Sequence, residues 1–140
     1  MIIGGHPVKK IIVFALLCLI LCTALLSSCD KYHSSFRALM CVESHNSYHS
    51  TLKFSELDGI KVYKMKTTEA MPTLYYAATV ESGSVTVYCD YADEKVEWFR
   101  TTEGETVSGL LEPGANATVY VIIETNGTCK EGEFLFEIGS

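Results

Sequence analysis

The sequence predicts an all-β fold beyond its first fifty residues: an antiparallel β-sandwich of about eight short strands, with jelly-roll and immunoglobulin-like connections both open. Three observations predict it. From Leu52 onward, apolar residues recur at every second position in short runs, the spacing of strands with one buried face. Turn residues interrupt those runs about every 8–12 positions, and no long 3.6-residue periodicity lies between them, which disfavours a parallel sheet with crossover helices. Hydrophobic residues make up 48% and charged residues 20% of the 140, enough apolar content to build a core.

Taken in order, Leu52 to Phe54 and Ile60 to Lys66 supply the first two strands. In the second the apolar phase flips between Val62 and Tyr63, and a bulge there would reconcile it. Leu74, Tyr76, Ala78 and Val80 share one face of the next strand, against Thr73, Tyr75, Ala77 and Thr79 on the other. Glu81-Ser82-Gly83-Ser84 then leads into Val85, Val87, Cys89 and Tyr91, so the two segments read as a hairpin. Val96 and Trp98 continue the inward phase and leave Phe99 outward, and Thr102 to Glu105 breaks the run. Val107 to Leu111 ends at Pro113-Gly114, Val119, Val121 and Ile123 precede Asn126-Gly127, and Phe134, Phe136 and Ile138 close the chain.

Ahead of the strands lies a short segment ending in Lys9 and Lys10, an apolar run from Ile11 to Leu26 interrupted only by Thr23, and then Ser27, Ser28 and Cys29. This is the pattern of an export signal. As a helix, the 16 positions of that run would rise about 24 Å, short of a hydrocarbon core of about 30 Å, so cleavage is favoured over a permanent span. Residues 30–50 are polar and serine-rich around a small apolar patch of Phe36, Leu39, Met40 and Val42, and read as a flexible tether reaching about 25 Å. The predicted organisation is a signal segment over 1–28, the modified N-terminus and tether over 29–50, and the sandwich over 51–140.

Leu26-Ser27-Ser28-Cys29 resembles the lipobox of bacterial lipoprotein precursors. The resemblance implies cleavage before Cys29, lipidation of its thiol, and a chain held at the extracytoplasmic side of a bacterial membrane, because several acyl chains on one residue anchor durably. Asp30 resembles the inner-membrane retention signal of enterobacterial lipoproteins. The segment from Phe54 to Ile138 is also similar to small extracytoplasmic β-sandwich modules of bacterial surface proteins, through its strand, Ser82-Gly83-Ser84, strand pattern and its final Gly132-x-Phe134-x-Phe136 strand. Such modules mostly bind or space, and the similarity transfers no catalytic residue.

The formal charge of −6 comes without a Lys/Arg stripe, so a nucleic-acid partner has no electrostatic footprint. The charge is also uneven: Asp30 to Val80 carries +1 and Glu81 to Ser140 carries −9. The near-neutral stretch is therefore expected nearest an anionic membrane surface.

Candidate sites are few. With Cys29 lipidated, Cys41, Cys89 and Cys129 remain, which permits one intramolecular disulfide; Cys89 to Cys129 is the preferred pairing, against the alternative that Cys89 is a small buried hydrophobe. His45 and His49 at i, i+4, with Glu43 and His33 nearby, are metal candidates only if helical, and Asn46, Ser47 and Tyr48 form helices poorly. Asp90, Asp93, Glu94 and Glu97 are oxygen ligands without an EF-hand pattern. Tyr75, Tyr88 and Phe99 are expected on outward faces, where aromatics stack on sugar rings or line a partner surface. No nucleophile elbow, zinc-protease helix or P-loop pattern occurs. The reading is a non-catalytic, cofactor-free binding or accessory module, anchored to the membrane through lipid on Cys29 and taking an envelope protein, polymer or small ligand. The alternatives are a structural spacer of an envelope assembly and a carbohydrate- or metal-binding module.

Overall fold

The computed structural model describes residues 6–27 and 30–140. It divides into two units, Met1–Lys31 and Tyr32–Ser140. The first holds helix α1 (His6–Ser27), whose described side chains from Val8 to Ile20 are all exposed. Apolar residues occupy every side of it, which gives it no amphipathic stripe. Among the described residues no helix is long and apolar enough to cross a membrane. Cys29 lies outside the described residues.

The second unit holds nine strands among its described residues: β1 (Ser35–Leu39), β2 (Val42–His45), β3 (His49–Lys66), β4 (Thr73–Ser82), β5 (Val85–Asp90), β6 (Val96–Thr101), β7 (Glu105–Leu111), β8 (Thr118–Thr125) and β9 (Cys129–Gly139). All pairings are antiparallel, in the order β6-β5-β8-β3-β9-β4-β7, with β1 and β2 on the free side of β3. β3 belongs to both leaves of the sandwich: His49 to Leu57 pairs with β9, and Ile60 to Lys66 pairs with β8. The first leaf is thus β7-β4-β9-β3-β2/β1 and the second β6-β5-β8-β3, joined where one long strand bends, as at the corners of packed sheets. Tyr76 of β4 stacks on Phe99 of β6 at 3.8 Å, and Phe136 of β9 meets Tyr63 from the second half of β3, so the core lies between the leaves.

The antiparallel sandwich is as the alternation predicts, and four local expectations are corrected. The tether over 29–50 is strand from Ser35 onward: β1 and β2 pair with β3 in one register, interrupted at Met40, which has φ 48°. Their residues lack alternation because an edge strand need not bury a full face. The two predicted strands at 52–54 and 60–66 are one 18-residue strand, and its register with β8 runs unbroken through Val62 and Tyr63. The inward parity changes earlier, between Phe54 and Leu57, with a matching change in β9 between Gly132 and Cys129. There the ladder skips Ser55 and Glu131, and Glu131 takes φ 49°.

The segment 81–84 does not close a hairpin. β4 pairs with β7 and β9, and β5 pairs with β6 and β8, so this connection arches from one leaf to the other. A short strand, turn, strand pattern is common to both geometries; only the long-range partners separate them. Finally, β6 carries a bulge: Val87 pairs with Phe99 and Tyr88 with Glu97, which leaves Trp98 as the extra residue and reverses the facing of its neighbour. Phe99 is only 8% exposed, whereas Val96 is 39% exposed, the opposite of the expected phase.

The glycine of the Gly-x-Phe-x-Phe strand has a packing reason. A Cβ on Gly132 would stand 2.2 Å from Phe54 Cζ, so the bare backbone is what lets the Phe54 ring lie across β9 beside Phe134.

Candidate functional site

The outer face of the first leaf presents a row across four strands. Tyr75 of β4 pairs with Leu110 of β7 on one side and Glu137 of β9 on the other, and Glu137 pairs in turn with His49 of β3. The adjacent row is Ser108, Ala77, Leu135 and Thr51. These are the positions of opposite parity to the buried Leu74, Ala78, Phe134, Phe136 and Ile138, so strand geometry turns them outward. Tyr75 is 38% exposed and Leu110 51%. The Tyr75 hydroxyl donates to the Ser140 carbonyl at 2.7 Å, which holds the ring in place beside Gly139. A shallow depression of about 180 Å³ opens here, lined by Tyr75, Tyr76, Ala77, Leu135 and Glu137. It combines an aromatic ring, aliphatic neighbours and a carboxylate, the elements that orient a ligand having both apolar faces and hydrogen-bond donors.

The three aromatic candidates do not form one surface. Tyr88 faces outward on the second leaf, where the Lys95 ammonium lies 4.4 Å from its ring centroid and bonds to Glu124 at 2.7 Å. Phe99 belongs to the core, in contact with Tyr76, Trp98 and Phe136. Of the set, Tyr75 alone lies on the outer face of the first leaf, Tyr88 faces outward elsewhere and Phe99 is buried. In place of the other two the fold supplies His49, chosen from sequence as a metal candidate, together with Leu110, Leu135 and Glu137. Leu135 was legible as an apolar residue in the outward phase of its strand; the others became neighbours only through strand order.

His45 and His49 flank the turn from β2 into β3 and share no helix. His45 instead bonds through Nδ1 to Ser50 Oγ at 2.6 Å and packs on the Tyr63 ring. Beside it Glu43 accepts from the Tyr63 hydroxyl at 3.0 Å and pairs with Lys61 Nζ at 2.7 Å. The bond from Lys61 holds the Glu43 carboxyl below the usual carboxylate range. Burial, reinforced by Lys61, holds the His45 imidazole low, and burial, then the bond to Glu43, raises the Tyr63 phenol. Among the described residues no three or more His, Cys, Asp or Glu converge to hold a metal ion. Asp90 is buried and accepts from the Tyr32 hydroxyl at 2.7 Å, Asp93 sits in the following turn at φ 60°, and Glu97 pairs with Arg100.

This cluster sets a pH dependence. Because His45 and Glu43 both have lowered folded-state pKa values, the folded domain binds fewer protons than the unfolded chain across those windows. Stability contributed by His45 falls as pH drops below about 6.5, and that of Glu43 falls as pH drops below about 4.3. Thermal melts from pH 7.5 to 2.5 are expected to show a declining Tm. His45→Gln should flatten the upper part of that decline, and Glu43→Gln the lower part, by at most about 1 kcal/mol because the Glu43 side chain is 40% exposed and its pairing is screened.

The expected Cys89 to Cys129 bridge is absent: both are free, buried thiols. They sit on strands of different leaves, and the Cys129 thiol donates instead to the Ser84 carbonyl at 3.2 Å. Burial, with Asp90 adjacent, pushes the Cys89 thiol up to about 11, and burial raises Cys129 too, so neither forms thiolate readily. Cys41 is exposed.

No family model matches the chain, and no curated protein does. Among solved structures, it is similar to a protein from Neisseria meningitidis at 13% identity, covering 84% of this chain and 95% of that one with a TM-score of 0.37. It is also similar to a family 29 carbohydrate-binding module at 14% identity, covering 78% and 76% with a TM-score of 0.40. A family 61 carbohydrate-binding module solved with β-1,4-galactotriose matches at 12% identity, covering 78% and 83% with a TM-score of 0.40.

Proposed function

We propose that this chain is the precursor of a lipid-anchored extracytoplasmic protein whose β-sandwich is a non-catalytic binding module, taking a saccharide of the cell envelope on the outer face of its first leaf. The observation that carries the ligand is the row Leu110, Tyr75, Glu137, His49. The apolar face of a sugar ring covers the held Tyr75 ring and Leu110, while ring hydroxyls donate to Glu137. The lipobox residues Leu26 to Cys29 support the anchor, since cleavage there leaves a cysteine positioned for acylation.

Co-sedimentation of the full chain with insoluble envelope glycan tests the ligand. Tyr75→Ala removes an aromatic anchor and is expected to weaken retention about 10-fold or more, with the Tm close to that of the parent. Equal retention of parent and variant would remove the saccharide reading and leave the spacer. Intact mass of membrane-extracted protein tests the anchor separately: a diacylglyceryl-modified Cys29 as the first residue is expected, and an unmodified Met1 would overturn it.

A further inference from the structure

The chain between the anchor and the folded domain is far shorter than a tether. Tyr32 is already pinned to the second leaf, by its hydroxyl on Asp90 at 2.7 Å and its ring edge-on to Tyr120 at 5.3 Å. Ser34 Oγ accepts from the Val62 amide at 2.9 Å, and β1 begins at Ser35. Only Asp30 and Lys31 separate Cys29 from Tyr32, a span of at most about 11 Å. From Tyr32 the chain runs along the free edge of β3, where Leu39 is 58%, Met40 81% and Val42 70% exposed. This is the densest exposed apolar stretch of the domain's chain.

We infer that the β1–β2 edge docks on the lipid bilayer, with Leu39, Met40 and Val42 at the headgroup boundary. The inference rests on the acylation of Cys29 proposed above. The short reach keeps the domain against the membrane, and apolar burial in the interface favours this edge. The docked edge also shields strand backbone groups that would otherwise stand open to another sheet.

Cys41, exposed within this stretch, is a native position for an environment-sensitive fluorophore. The processed chain, labelled there, is reconstituted into vesicles of phosphatidylethanolamine and phosphatidylglycerol containing lipids with a quencher near the headgroup. A Ser108→Cys, Cys41→Ser variant labelled on the outer face of β7 serves as reference. The expected result is a blue shift and loss of most emission at residue 41, with emission at residue 108 retained. Met40→Asp, which suits the φ of 48° at this position, should abolish the quenching with Cys29 still acylated. Acylated protein whose residue 41 label is quenched no more than the reference overturns the docking and leaves the anchor intact. Protein whose intact mass shows no acyl group overturns both.

Discussion

Phe136→Ala is expected to destabilise the domain by about 3–5 kcal/mol, the cost of truncating a fully buried aromatic whose site cannot collapse. Phe136 is 0% exposed and lies where the two leaves meet, with Tyr63 at 6.3 Å, Trp98 at 6.1 Å, Phe99 at 6.3 Å and Phe134 at 6.4 Å between ring centroids. Those partners come from three strands, β3, β6 and β9, each held by its own ladder, so no one of them can move into the space without breaking backbone hydrogen bonds. A loss of this size is a large share of the 5–15 kcal/mol that ordinary domains possess. Urea denaturation is the measurement: the midpoint should fall sharply with little change in slope. A loss under about 1 kcal/mol would mean that the leaves do not close on this ring.

Gly59→Ala is expected to cost about 2–5 kcal/mol, from backbone strain and overpacking together. Gly59 takes φ +130°, a conformation costly for any residue with a Cβ. An added Cβ would stand 2.3 Å from the Ser35 carbonyl oxygen and 2.7 Å from Phe36 Cα. Both are backbone atoms, so relief requires moving β1 itself. The residue lies where β3 passes from one leaf to the other, with Thr125 Oγ1 accepting from its amide at 2.8 Å. Hydrogen exchange should show β1 amides losing protection first, ahead of β4 and β9. An unchanged Tm and unchanged β1 protection would mean that residues 35–39 are the loose tether that their composition suggests.

How legible each part was follows from where its information resides. β4, β5, β8 and β9 could be read from alternation alone, because each buries one face fully and the pleat converts burial into a period of two. β1 and β2 could not. Ala38 faces the core, yet Leu39, Met40 and Val42 do not, and Glu43 and His45, though exposed, bond to Tyr63 and Ser50. The facing of Phe99 was hidden for a different reason. A single extra residue at Trp98 reverses it, and the bulge is defined only against Val87 and Tyr88 on the partner strand.

The same distinction runs through the site. Tyr75 and Leu135 were identifiable as outward residues from their own strands. That Tyr75 lies between Leu110 and Glu137, with His49 beyond, depends on β9 inserting between β3 and β4, which no local pattern encodes. Cys89 was correctly read as inward, but a bridge also needs the two backbones to approach; both thiols are free, and that of Cys129 bonds to the Ser84 carbonyl.

Sequence by itself determined that this chain folds as an antiparallel β-sandwich and which residues of its central strands face inward. These depend on hydrophobic periodicity and turn chemistry, which act over a few residues. Tertiary structure alone decided that residues 81–84 arch between leaves, that the supposed tether is an edge strand, and which side chains surround Tyr75. Those outcomes are set by pairing between distant segments, where the free energy of the assembled core and not local preference selects the partner.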